Sequence, residues 1–248
     1  MKVIGSAAKT SFFYKKKKEI HNNWKIIYKF KCSSTEYELD QYLKSNNSIR
    51  NNPIAFFSRS QSSGYGRYGR KWYAPVGGIW MSMAYPINSN NFISEIFSIS
   101  IAYKLCEMLS KESIKVTLKW PNDIFYGSKK LIGFLPKVIT RGDQIKFVRV
   151  GFGMNLNNQT PSLGISLSQI INKKNLCESY WASKILHVFD EAISLNDKRN
   201  IIIKGANRYL NKKYLPKDYC DKDWIIENID HRGNLVISKN DDQKIINL

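Results

Sequence analysis

The sequence predicts an α+β fold, and three observations carry that prediction. β-rich apolar stretches recur through the first 150 residues, at 24–30, 53–59, 78–85, 116–120, 124–126, 130–139 and 144–150. Helical patterning then takes over, with Trp181, Ile185, Val188, Phe189 and Ala192 on one face and a further helix over 197–213. The tail returns to short strands at 224–226, 235–237 and 244–246, which need a larger body to dock on.

In chain order, residues 1–23 are polar and basic and read as a poorly ordered N-terminus. The strand at 24–30 runs into Cys32-Ser-Ser-Thr-Glu36, followed by Tyr37, Leu39, Tyr42 and Leu43 at helical spacing. Ser33 with Glu36, or Thr35 with Glu38, would make a capping box, so Ser34 and Thr35 have a structural reading as helix starters. Residues 46–52 read as a polar loop before the strand at 53–59. Between 92 and 110, Phe97, Ile101, Leu105 and Leu109 recur every four residues, as one stripe of a helix does. The strand at 116–120 breaks at Pro121-Asn-Asp123, resumes at 124–126, and Gly127-Ser128 turns the chain into 130–139. Residues 144–150 read as a strand able to pair across a dimer. Asp230-His-Arg-Gly233 supplies a turn in the tail, and the chain divides at 24–215 and 216–248.

Composition bounds the function. A hydrophobic share of 43% and an aromatic share of 13% fit a packed chain of 248 residues. No run of about 18 apolar residues occurs, and the N-terminus lacks a secretory h-region. An organelle transit segment is a second reading of those first residues. The net charge of +19 has two readings: a nucleic-acid binder, or a Lys-, Asn- and Ile-rich composition that draws in acidic partners. The lysines are scattered apart from residues 15–18, and no nucleic-acid-binding signature accompanies them. Four isolated cysteines and three isolated histidines give neither zinc spacing nor a disulfide framework, which points to reduced thiols in the cytoplasm.

The densest chemistry lies in Gln61-Ser-Ser-Gly-Tyr-Gly-Arg-Tyr-Gly-Arg-Lys-Trp72: three glycines, three cations, three aromatics and no carboxylate. Gly64-x-Gly66-x-x-Gly69 has dinucleotide-fingerprint spacing, yet Ala74-Pro75 and Gly77-Gly78 follow where a helix should start. No acid occurs between residues 61 and 94, and no kinase catalytic loop follows either. The mixture suits a phosphate-bearing ligand with a ring attached.

Three segments, taken in order and spacing, resemble one family: the 61–72 loop, Lys119-Trp-Pro-Asn-Asp123, and Lys130-Leu-Ile-Gly133 with Gly151-x-Gly-x-Asn155 after it. They are similar to those of biotin–protein ligases, which biotinylate acetyl-CoA carboxylase. The likeness covers residues 25–160 and extends more loosely into Ile229-Asp-x-x-Gly233-x-Leu235. It implies a mixed central sheet flanked by helices, of class II synthetase type, a small truncated SH3-like C-terminal domain, and a monofunctional enzyme without DNA-binding helices. It implies biotin contacts at Ser34, Thr35, Glu36, Gln61, Tyr65, Gly66, Arg67 and Lys130. Adenylate contacts follow at Gly64, Gly66, Arg67, Gly69, Arg70, Trp72, Asn122, Lys130 and Asn155, with Lys71 beside Arg70 as a second choice.

The resemblance makes Lys130, Arg67 and Asp123 the catalytic candidates, with Asp123 either holding Mg2+ or orienting Lys119 or the turn. ATP and biotin are the implied substrates. The implied partner is the biotin carrier domain of acetyl-CoA carboxylase, with no DNA or membrane and a monomeric or weakly dimeric chain. Trp80, Met83, Leu131 and Ile132 read either as an apolar floor for biotin or as ordinary core. Three positions depart from the pattern: Glu36 stands in an asparagine slot, Tyr65 replaces a loop arginine, and Pro136-Lys137 replaces residues that usually end in Glu. The alternatives are a lipoate–protein ligase, whose Arg-Arg-x-Ser-Gly-Gly-Gly loop is absent, and a non-catalytic biotin-responsive nucleic-acid-binding protein.

Overall fold

The computed structural model describes residues 7–16, 22–45, 52–87, 91–142, 144–220 and 223–248. The polar stretch expected at 46–52 lies outside them except for Asn52, as do Lys17, Lys18 and His21. A seven-stranded sheet runs in the order β1 (Lys25–Lys29), β2 (Ile54–Ser58), β3 (Ile79–Pro86), β7 (Gln144–Met154), β6 (Lys129–Arg141), β5 (Asp123–Tyr126), β4 (Thr117–Lys119). β1 and β2 are parallel and the other neighbours antiparallel, so the sheet is mixed.

Two strand readings change. β5 does not prolong β4 but folds back on it, with Thr117 opposite Phe125. Pro121 cannot donate to a ladder, and the chain reverses over residues 120–122. β7 is not an edge: it lies between β3 and β6, and the sheet ends at β1 and β4.

Alternation gives the central strands two unlike faces. Met81, Met83, Val150, Phe152, Ile132 and Phe134 belong to the main core. That face is covered by α3 (Phe97–Lys111) and α5 (Glu178–Ser194), whose expected apolar stripes are buried. α6 (Arg199–Tyr209) packs against α3 and is shorter than the pattern over 197–213 suggested. A one-turn helix, α4 (Leu167–Ile170), opens with a capping box between Ser166 and Gln169. The other face carries Ser82, Ala84, Gly133, Gly151 and Gly153. Only its β2–β3 side is covered, by α2 (Thr35–Ser45), whose Leu39 packs with Ile54, Phe56 and Ala84.

Neither expected capping box forms at α2. Ser34 caps the helix alone, its Oγ accepting the Glu36 N–H at 3.2 Å. The Glu36 and Glu38 side chains are engaged elsewhere, with Arg149 and Lys29.

β8 (Ile225–Ile229), β9 (Leu235–Lys239) and β10 (Asp242–Ile246) make a separate antiparallel sheet. It docks as its size requires. Trp120 Nε1–H donates to the Gly233 carbonyl at 2.9 Å, and the Asn207 amide bonds both backbone groups of Ile229. Ile226, Ile229, Leu235 and Ile237 join the main core, so a division at residue 216 separates two sheets but not two cores. No helix among the described residues is long and apolar enough to cross a membrane.

The N-terminal segment is the largest departure from the sequence reading. Ala7–Lys16 forms a helix, α1, packed on α5. Its apolar pattern is faint, and polar bonds to α5 add to the packing of Phe13 on Tyr180. The Tyr14 hydroxyl donates to Asp190 Oδ2 at 2.5 Å, and Asn22 Nδ2 and Trp24 Nε1 donate to Oδ1. Tyr14 also stacks on His187 at 4.3 Å. Burial pushes the Asp190 carboxyl up to about 6, outweighing the three donors that favour its charged form.

The Asp190 shift predicts a pH dependence of stability. The folded group holds its proton above the ordinary 3.8, so its contribution is complete below about pH 4 and is lost as pH rises through 6. Urea unfolding from pH 4 to 7 should show wild type losing on the order of 3 kcal/mol relative to Asp190→Asn. Parallel profiles for the two proteins would contradict this.

Candidate active site

Residues 61–72 fold into a small hairpin on the open face. Gly66 N–H donates to the Arg70 carbonyl at 2.7 Å and Trp72 N–H to the Gly64 carbonyl at 2.9 Å. A Cβ at Gly64 would lie 3.0 Å from the Trp72 carbonyl, so this closure needs glycine. At the tip, Tyr68 and Gly69 are both left-handed, with φ of 58° and 69°. For the tyrosine that costs about 1 kcal/mol.

At the hairpin's base, Gln61 Oε1 accepts both the N–H and the hydroxyl of Thr35, at 2.7 and 3.0 Å. The Thr35 proton being used there, the Ser82 hydroxyl is the donor in the 2.9 Å contact with Thr35 Oγ1. The relay Ser82–Thr35–Gln61 thus ties β3, the start of α2 and the hairpin together. It leaves a Ser82 lone pair for other donors.

The floor is a strip of missing side chains. Gly133 on β6 pairs with Gly153 on β7, and one step along Leu135 pairs with Gly151, which faces Ser82. Trp72 lies in this strip: a Cβ at Gly153 would come within 2.7–2.8 Å of its indole, and one at Gly133 within 3.0 Å. Trp72 Nε1 is buried with no hydrogen-bond partner among the described residues. Trp80, beneath it at 6.2 Å edge to face, is fully buried. Of the residues with a floor reading, Met83 and Ile132 belong to the helix-side core because alternation turns them away from the strip, and Leu131 joins them where the β5–β6 register shifts.

Lys130 reaches across Gly133, its Nζ 4.9 Å from the Trp72 ring centre and 2.6 Å from Asp123 Oδ1. Asp123, a candidate metal ligand, is therefore the partner of Lys130. Among the described residues no three His, Cys, Asp or Glu side chains cluster as a metal cage would require. Lys119 turns instead to the rings of Phe125 and Tyr214.

Asn122 and Asn155 brace the backbone. Asn122 Nδ2 donates to the Phe134 carbonyl at 2.6 Å, and Asn155 Nδ2 donates to the Lys130 carbonyl at 3.2 Å while its Oδ1 accepts from Asn158. Arg67 and Arg70 lie at the hairpin tip, their guanidinium carbons 5.3 and 5.7 Å from the centre of the exposed Tyr68 ring. Tyr65 pairs across the hairpin with Lys71. Burial first, then the Glu36 carboxylate, pushes its phenol up, which places Tyr65 beside the Glu36 end rather than beside Lys130.

Sequence reasoning missed Arg149 and Ser82. The signal for Arg149 is a cation inside an otherwise apolar strand, Phe147-Val-Arg-Val150, which demands acidic partners. They are Glu36 at 2.9 Å and Asp40 at 3.0 Å, one helical turn apart on α2.

A glycine-floored trough with an acid-paired lysine at one end, closed by a basic glycine hairpin, defines a site for an anionic ligand carrying a flat group. Residues 31–155, half of the chain, match the biotin/lipoate A/B protein ligase family. The chain belongs to that family. It is 27% identical over 161 residues to the bifunctional ligase/repressor BirA of Bacillus subtilis, covering 60% of this chain and 48% of that one. To the biotin–[acetyl-CoA-carboxylase] ligase of Paracoccus denitrificans it is 28% identical over 102 residues, 40% of this chain and 42% of that one. The chain thus spans less than half the length of these curated relatives. In fold it is similar to a biotin protein ligase from Aquifex aeolicus in complex with biotin and ATP, with TM-score 0.67, 19% identity, and coverage of 90% of this chain and 96% of that one.

The packing of Trp72 is testable directly. Gly153→Ala should push the indole out of the strip, shifting tryptophan emission to the red and costing about 1–3 kcal/mol of stability in denaturant unfolding. Gly142→Ala, on the far turn between β6 and β7, should leave the emission unchanged.

Proposed function

We propose that this protein is a biotin–protein ligase. It joins biotin to ATP as biotinyl-5′-AMP with release of pyrophosphate, then transfers the biotinyl group to a lysine of the biotin carrier domain of acetyl-CoA carboxylase. The observation that carries this reading is the seating of Lys130 over the Gly133/Gly153 strip beside Trp72, with the Gln61–Thr35–Ser82 relay one row further along the same floor.

The chemistry follows from that placement. A carboxylate oxygen must attack the α-phosphorus, so two anions have to meet while charge builds on the phosphate. Lys130 supplies a cation there. Its pair with Asp123 is part-exposed, 29% and 21% for the two side chains. The lysine is accessible enough to exchange Asp123 for a ligand anion. Asp123 meanwhile keeps the amine over the trough.

Arg67 and Arg70, on a hairpin closed by few backbone bonds, add charge on the phosphate side when the hairpin folds down; Gly64, Gly66 and Gly69 allow that movement. Closure keeps water from the acyl-adenylate until the carrier lysine attacks its carbonyl carbon and AMP leaves. Trp72, whose indole N–H has no partner among the described residues, offers the ligand a flat wall and one donor. Magnesium bound to the ATP phosphates would offset part of their charge. Ser34, Asn122 and Asn155 support the site through the backbone.

Incubation with biotin and ATP should release pyrophosphate only when biotin is present, and lipoate should not replace it. A carrier domain added to the mixture should gain one biotinyl group by mass spectrometry. Lys130→Ala should slow adenylate formation at least about a hundredfold. Release that ignores biotin, or a Lys130→Ala protein of near-normal rate, would contradict the proposal.

A further inference from the structure

Besides the Trp72 indole N–H, two buried atoms at the Gly151 end lack a hydrogen-bond partner among the described residues: Glu36 Oε2 and Arg149 Nε. Glu36 lies one helical turn from Asp40, and Arg149 spans both. Its Nη2 meets Glu36 Oε1 at 2.9 Å and the Glu36 carbonyl at 3.2 Å, while Nη1 meets Asp40 Oδ1 at 3.0 Å. Lys137 approaches the same Oε1 at 3.9 Å. The other oxygen, Glu36 Oε2, is buried and has no hydrogen-bond partner among the described residues. An unpaired carboxylate oxygen out of water is costly, so the structure holds a strong acceptor ready for a donor.

Its direction is set by the glycine floor. A Cβ built on Gly151 would lie 3.7 Å from Glu36 Oε2, 4.0 Å from Ser82 Oγ and 3.9 Å from Leu135 Cβ. The absence of a side chain at 151 thus leaves a space where two acceptors and one apolar wall converge. Ser82 counts as an acceptor because its proton goes to Thr35, whose own proton goes to Gln61.

We infer that Arg149 is a positioning residue that fixes the Glu36 carboxylate so that Oε2 receives a ring N–H of the ligand, making the pocket selective for a ring with neighbouring N–H donors, such as a cyclic urea. This rests on the ligase reading above, in which biotin presents such a ring. Arg149 never touches the ligand. It holds one carboxylate oxygen so that the other is fixed in place. Asp40 in turn fixes Arg149. The pair thereby fills the role left open where Glu36 departs from the family's asparagine.

The test measures biotin and a ureido-N-methylated biotin as substrates in pyrophosphate release, with isothermal titration of both. Wild-type protein should prefer biotin by at least about tenfold. Arg149→Met should raise the KM for biotin at least about tenfold with kcat little changed, and should shrink the preference over the methylated compound. Arg149→Lys should restore part of both. A loss of general packing would weaken the two ligands alike and leave their ratio intact, so an unchanged ratio overturns the inference. Should Arg149→Met fail to fold, Glu36→Gln carries the same test, since it keeps the shape and removes the charge. Wild-type protein that neither binds biotin nor releases pyrophosphate would instead overturn the ligase reading. Biotin turnover with no discrimination against the methylated compound overturns only the role given to Glu36 and Arg149.

Discussion

Everything at the candidate site depends on three side chains that are not there. Gly133, Gly151 and Gly153 clear one face of the β6–β7 ladder. A methyl at 153 would meet the Trp72 indole, and one at 133 would meet Lys130 within 2.7–2.8 Å. The same ladder carries Phe134, Val150 and Phe152 on its reverse, packed against α3 and α5. A flat, rigid floor is therefore held from behind by a close-packed core, while its front stays open enough for an indole and a lysine to lie flat on it.

That floor separates two kinds of electrostatics. Near Gly133, the Lys130–Asp123 pair is part-exposed, with 29% and 21% of the two side chains accessible. Near Gly151, the Arg149–Glu36–Asp40 cluster is mostly buried, with side-chain exposures of 11% and 12% for Arg149 and Glu36. Burial makes this second cluster hard to rearrange, since separating its charges would leave each one desolvated. One end suits a ligand whose charge changes during reaction; the other suits a neutral group recognised by shape and hydrogen-bond direction. Tyr65, which replaces a loop arginine, falls at this second end, where Arg149 already supplies a cation from the strand.

Most of the sheet and the helix-side core were legible because period-2 and period-3.6 patterns report burial directly, as the stripe Phe97, Ile101, Leu105, Leu109 does. The hairpin and the lysine strand were legible as motifs, since glycine and charge at fixed offsets survive as text. What the sequence hid were polar anchors between distant segments. α1 was unreadable because its fixing point is Asp190, 176 residues from Tyr14, rather than an apolar stripe of its own. The fold-back of β5 on β4 and the interior place of β7 depend on pairing partners, which no local window contains. The role of Glu36 was hidden for the same reason: a carboxylate at the start of a helix reads as a cap until Arg149, 113 residues away, claims it.

These hidden anchors share a physical logic. A ligand site floored with glycine has little side-chain packing of its own, so it borrows rigidity from charge pairs and relays that cross between elements. Arg149 ties β7 to α2, the Ser82–Thr35–Gln61 relay ties β3 and α2 to the hairpin, and Asn155 ties the end of β7 to Lys130 of β6. Each tie ends on a residue beside the trough. The polar groups that fix the backbone thus bond directly to groups that line the trough, as Arg149 does to Glu36 and Asn155 to the Lys130 carbonyl. Losing one of them would disturb position and recognition together, and the two effects separate only when ligands differing by a single N–H are compared.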